Sequence, residues 1–234
     1  MGTQLDIASK AKRYRWDAEE LRRVAFHEAG HAVAYAVVWG PSHVTHVEIE
    51  EVTAEYGCFV QGHAGYERVW IPQGSTPYER WQRLLSAMCT CSGPWFDHQA
   101  DGDQWSFHDW WIADEDAFAC DEEGEPDMTL DGNRVLFLSG DTPAERKRFL
   151  SYLDRLTNQF CSHPTIQAGV DALAAELIKM GPGRMEGETV GDILESSMGI
   201  IYLDNLGPTW KRRLRDVARA IHRACDANAE TVLM

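Results

Sequence analysis

The segment "VAFHEAGHAVAYAVVW" (24–39) constrains the fold more than any other part of the chain. It is apolar or small on every side, the pattern of a helix surrounded by core. Three ionisable residues, His27, Glu28 and His31, stand inside it. A buried glutamate beside two histidines is costly unless something satisfies it. On a helix, His27 and His31 lie on one face, about 6 Å apart along the axis. Glu28 is turned about 100° from His27, too far to share its position and near enough to reach what both imidazoles hold.

That spacing lets two imidazole nitrogens reach one tetrahedral zinc ion from the same side. Zinc brings the pKa of a water it binds towards neutrality, and an adjacent carboxylate can then take the proton. His27-Glu28-Ala29-Gly30-His31 is thus an H-E-x-x-H arrangement. The candidate roles are His27 and His31 as metal ligands and Glu28 as general base, with one catalytic Zn2+.

The rest of the chain offers mostly helices and a small sheet. The first helix is expected to open near Asp17, with Glu19 and Glu20 in its first turn, and to end before Gly40. "HVTHVEIEEV" (43–52) and "EYGCFVQGH" (55–63) have strand composition. "TPYE" (76–79) carries a capping-box signature, so a second helix is expected from Thr76 to a stop at Gly93-Pro94, with Trp81, Leu84, Leu85 and Met88 at helical spacing. A second such signature, "TPAE" (142–145), opens a helix carrying Phe149, Leu150, Leu153, Leu156 and Phe160. Ile166, Val170, Leu173, Leu177 and Ile178 then mark another amphipathic helix ending at Gly181. Residues 209–227 are expected to form a basic helix with Leu214, Val217 and Ile221 on one side.

With 234 residues and a net charge of −15, the chain fits one large domain that nucleic acid and anionic membranes would repel. No Lys or Arg occurs between Arg83 and Arg134, whereas acids crowd the stretch from Asp97 to Asp131 among Trp105, Phe107, Trp110, Trp111 and Phe118. Aromatic area of that order anchors an acidic segment to the body of a protein. The six cysteines form no C-x-x-C pair, and Cys89 and Cys91 diverge on a helix as core or flank thiols. No signal-peptide core and no bilayer-spanning stretch is present, so a cytoplasmic protein with reduced thiols is expected. The phosphate loop G-x-x-x-x-G-K-[ST] is also missing from the sequence. His98 and His108 lie in the acidic stretch, as surface residues or as contacts for substrate or a metal ligand.

The third ligand would define the class. The run continues "AVAYAVV", without the Gly and His of a metzincin. Glu48, Glu50, Glu51 and Glu55 fall in strands rather than on the later helix a gluzincin uses. An Asp from a distant segment is the other option.

At this point the chain resembles a known family. "RRVAFHEAGHAVAYAV" followed by "HVTHVEIE" is similar to the peptidase domain of FtsH-type zinc proteases, and more closely to their stand-alone bacterial and phage relatives without the ATPase. The resemblance continues through "LLSAMCTCSGPWF", "LSGDTPAERKRFLSYL" and "AGVDALAAELIKMGPGRMEGETVGDI", covering roughly residues 20–195. It implies an α+β, mostly helical zincin-like peptidase domain over 1–208, with an acidic insertion at about 97–133 and a basic helical extension over 209–234. It places the third zinc ligand in "IADEDAFAC", at Asp116, with Asp114 next.

The expectation is therefore a zinc metallopeptidase without a motor of its own, acting on flexible peptide or protein segments. The strand "HVTHVEIE" either lies at a sheet edge above the metal, where a peptide could add to it, or runs through the core. The 209–227 helix would dock on the acidic stretch, a second copy or a partner protein. One rival is a zinc-stabilised binding protein whose acidic, aromatic stretch occupies a basic partner site. A weaker one is a zinc hydrolase of small amides or esters.

Overall fold

A computed structural model describes residues 14–54, 57–67, 77–101 and 153–199. In chain order the elements are β1 (Tyr14–Arg15), α1 (Ala18–Trp39), a 3-10 turn (Pro41–His43), β2 (Val44–Ala54), β3 (Gly57–Tyr66) and α2 (Pro77–Asp101). They continue with α3 (153–161), α4 (Pro164–Met180), β4 (Gly183–Glu186) and α5 (Gly187–Met198). The architecture is mixed: helices packed on a small, largely antiparallel sheet in the order β1-β3-β2-β4.

The ends of α1 follow from local chemistry. The Asp17 carboxylate accepts hydrogen bonds from the backbone N–H groups of Glu19 and Glu20, both at 3.0 Å. Gly40 stops the helix with φ 107°, a value that suits a residue without Cβ. Between these ends α1 is nearly all interior. Ala25, Ala29, Ala32, Val33 and Ala34 are fully buried, and α2, α4 and the sheet pack around them.

Antiparallel β2 and β3 pair along their length, from Val44↔Tyr66 to Ala54↔Gly57, with a register shift between Val44 and His46. The shift turns Val44, Val47 and Ile49 all towards the core. On the far side of β2, His46–Ile49 pair with Gly183–Glu186 of β4. β2 therefore lies inside the sheet and is not the edge strand; the sequence element responsible is β4, only four residues long.

One helix boundary also differs from expectation. α2 runs through Gly93-Pro94 and ends at Asp101. Proline in a helix interior removes one hydrogen bond and crowds the preceding turn. Tertiary contacts offset that cost here: Trp95 and Phe96 are buried, and Trp95 Nε1–H donates to Asn158 Oδ1 of α3 at 2.7 Å. Farther along, Arg22 donates to the Ala100 carbonyl at 2.7 Å and Arg23 to Asp97 at 2.9 Å. The continuation of α2 past the proline is thereby held against α1.

The helix expected after "TPAE" is described from residue 153, where Leu153, Leu156 and Phe160 are buried; Phe149 and Leu150 lie outside the described residues. α4 has the expected core residues Ile166, Val170, Leu173 and Leu177. Thr76, Glu55, the acidic stretch beyond Asp101 and the basic 209–227 segment lie outside the described residues. Cys89 and Cys91 are both buried in the core. Among the described residues, no helix is long and apolar enough to cross a membrane.

Candidate metal centre

His27, Glu28 and His31 sit in the middle of α1, where the helix is crossed by α2 on one side and backed by β3 on the other. The crossing is close because small residues meet there. A Cβ on Gly30 would lie 2.8 Å from the Ser92 carbonyl oxygen and 2.9 Å from the Phe96 ring. Opposite, Gly93 of α2 leaves room for the His31 imidazole, which any Cβ at that position would strike.

The imidazoles of His27 and His31 meet edge to face, with ring centroids 4.8 Å apart and planes at 73°. Their Nε2 atoms are 3.1 Å apart. The other nitrogen of each ring faces an acceptor. His31 Nδ1–H donates to the Cys89 carbonyl at 3.0 Å; because a carbonyl only accepts, this assigns a proton to Nδ1, and in the neutral ring Nε2 then carries the lone pair. His27 Nδ1 is 3.5 Å from Asp97 Oδ2, which favours the same tautomer. Two nitrogens this close share either a proton, as a hydrogen bond, or a metal ion held between them. Histidines that hold a metal through one nitrogen and present the other to a carboxylate or backbone carbonyl have this arrangement.

Glu28 is 5 % exposed and His31 6 %, so both ionisable side chains are interior, while the His27 side chain is 25 % exposed. The Glu28 carboxylate lies against β3 at Gly62, where a Cβ would overlap it. The site is thus open on the His27 side and walled at Glu28 and His31. Its two imidazole nitrogens are of a donor type that zinc accepts.

Among the described residues, no group of three or more His, Cys, Asp or Glu side chains is arranged to hold a metal ion. Asp116 and Asp114, the expected third ligand and its alternative, lie outside the described residues, as does His108. Glu48, Glu50 and Glu51 are on β2, away from the two imidazoles. Glu48 is 3.8 Å from Arg184 of β4, and Glu51 accepts from Trp16 Nε1–H at 2.6 Å. His98, near the end of α2, is partly buried.

Sequence reasoning missed Asp97 and the Cys89 carbonyl as partners of the two histidines. A backbone carbonyl leaves no trace in a sequence. Asp97 does leave one: a single acid directly after the paired aromatics Trp95 and Phe96, within the turn that follows Pro94. Reading it required α2 to continue past the proline.

Comparison with protein-family models and with curated proteins returns no match.

Proposed function

We propose that this chain is a zinc-dependent peptidase of zincin-like architecture, cleaving peptide bonds in flexible or unfolded segments. The observation that carries the reading is the pair of Nε2 atoms 3.1 Å apart, each on a ring whose Nδ1 faces an acceptor, one helical position from a buried glutamate. His27 and His31 would hold the ion, with Asp116 proposed as the third ligand on the resemblance of "IADEDAFAC" to the FtsH-type pattern. Zinc, when bound, acidifies water and polarises a carbonyl oxygen.

The chain's own groups do the rest. Glu28 takes the proton of the attacking water and passes it to the departing amine. Its burial against Gly62 keeps the carboxylate in one position, so little reorganisation accompanies the transfer. Cys89 and Asp97 keep the two imidazoles aimed at a common point.

A peptide substrate is supported by the edge of β3. Cys58 accepts from the Trp16 N–H at 3.0 Å, and the Val60 N–H donates to Glu20 at 3.2 Å, so backbone groups at these positions face away from β2. Gly62 and Ala64 share that parity. Among the described residues, no strand pairs with this side of β3 beyond Cys58. An extended chain added there would pass Glu28 at Gly62, and only a flexible segment can become extended in this way.

The decisive experiment replaces Glu28 by Gln. The variant is expected to bind zinc as the wild type does and to lose cleavage of an unstructured fluorogenic peptide. Cleavage surviving in purified Glu28→Gln protein would remove Glu28 as general base and the proposed mechanism with it.

A further inference from the structure

We infer that Arg23 is a positioning residue for the metal centre, acting through Asp97 to fix the ring of His27. This deepens the zinc-peptidase reading and rests on it for its functional meaning. Arg23 and His27 are four residues apart on α1, so their side chains lie on one helix face. Both meet the same atom of α2: Arg23 Nη1 is 2.9 Å from Asp97 Oδ2, and His27 Nδ1 is 3.5 Å from it. The guanidinium pins the carboxylate, and the pinned carboxylate faces the Nδ1 side of His27. With Nδ1–H the favoured tautomer, the Nε2 lone pair is directed at His31.

Asp97 meets both Arg23 and His27 through one oxygen, Oδ2. Its other oxygen, Oδ1, is buried with no hydrogen-bond partner among the described residues. A carboxylate kept in that condition forgoes hydrogen bonds that a different orientation could regain. Oδ2 carries both charged contacts, and those contacts link α1 and α2 at His27. Arg22, the adjacent residue, secures the same stretch of α2 by donating to the Ala100 carbonyl at 2.7 Å.

The two imidazoles are therefore held by unequal means. His31 is set by a backbone carbonyl in a packed helix. His27 is set by a side-chain ion pair in which Arg23 is 45 % exposed and Asp97 16 %. Substitution at Arg23 acts first on His27 and reaches His31 only through the contact between the two Nε2 atoms. Outer partners of metal-binding histidines change affinity by about 10- to 100-fold when removed; Arg23, one contact farther out, is expected to contribute about 3- to 10-fold, on the order of the lower bound of that range.

Two readouts test this in the full chain. Nitrogen-15 spectra of the metal-free protein at alkaline pH, where imidazoles are neutral, report the tautomer of each histidine. Arg23→Ala is expected to shift His27 away from the Nδ1–H form while His31 keeps its proton on Nδ1, Asp97→Asn to do so more completely, and Arg23→Lys to restore the wild-type signature. Zinc affinity, measured by competition with a chromophoric chelator, should fall in the same order. Unchanged His27 nitrogen shifts in both Arg23→Ala and Asp97→Asn would overturn the inference. A wild-type chain that took up no zinc would instead overturn the peptidase reading, and the spectra would still decide the role of Arg23.

Discussion

The imidazole of His31 occupies the space that a side chain on Gly93 would need. A glycine in the middle of α2 is unfavourable by about 0.5–1 kcal/mol relative to alanine, so its presence marks a steric demand. Gly93→Ala should reverse that gain by forcing the His31 ring or the helix crossing to move, with a net loss of about 1–3 kcal/mol as for other overpacked sites. Urea denaturation measures the loss. Zinc binding should weaken in parallel, since the displaced ring is a proposed ligand; a variant with wild-type affinity would show that the ring can relocate without consequence.

Gly62→Ala makes the complementary test on β3. The new methyl would overlap the Glu28 carboxylate rather than either imidazole. Peptide cleavage is expected to fall while zinc affinity stays near that of the wild type. Titration with a chelator and turnover of a fluorogenic peptide separate the two, and equal losses in both would argue against an independent role for Glu28.

Gly191, within α5, has no comparable duty. A Cβ there would meet only the Pro41 ring, at 3.8 Å, which is ordinary van der Waals contact. Gly191→Ala should therefore stabilise the protein by about 0.5–1 kcal/mol through helix propensity. Thermal or urea unfolding would show it; a destabilised Gly191→Ala protein would mean that α5 sits closer to the 3-10 turn than described.

His46 gives the fold a dependence on pH that is separate from the candidate site on α1. Burial on the outer face of the sheet, aided by Arg184 and His63, lowers its pKa below the ordinary 6.5, against the opposing pull of Glu48 and Glu186. The unfolded chain then binds this proton at a higher pH than the folded chain does. Stability is lost as pH falls from 6.5 towards the lowered folded value, and no further change comes from His46 below it. Denaturation midpoints of wild type and His46→Gln across this range check the sign: the wild type should weaken more on acidification. Parallel curves would assign the effect elsewhere.

Much of this architecture is legible in the sequence because its signals are local. Asp17, Gly40 and the apolar run between them specify α1 by capping, stop and pattern. The spacing of Ile166, Val170, Leu173 and Leu177 specifies α4 in the same way. One misreading and one unanticipated strand came where distant contacts outweigh local rules. Pro94 is a strong stop signal, overridden by the burial of Trp95 and Phe96 and by Asn158, far away in sequence. β4 is four residues with no apolar alternation, so nothing in "GRME" announces that it would flank β2. At the candidate site, the placing of His27, Glu28 and His31 together in the buried middle of α1 was legible from their spacing. The partners that orient the imidazoles were not, because Asp97 depends on the helix that passes the proline and Cys89 contributes only its backbone.

The pairing of His46 with Glu186 joins the early and late parts of the chain in one sheet. During synthesis, β2 and β3 can form a hairpin soon after they emerge, but β2 gains its second neighbour only once residue 186 has left the ribosome. α1 likewise lacks its α4 packing until Ile166 and Val170 are made. Such late, long-range closure is slow compared with local folding. The groups that touch His27, Glu28 and His31 come instead from Gly62, Cys89, Gly93 and Asp97, so the candidate site can take shape before the last strand and helices arrive to close the core around it.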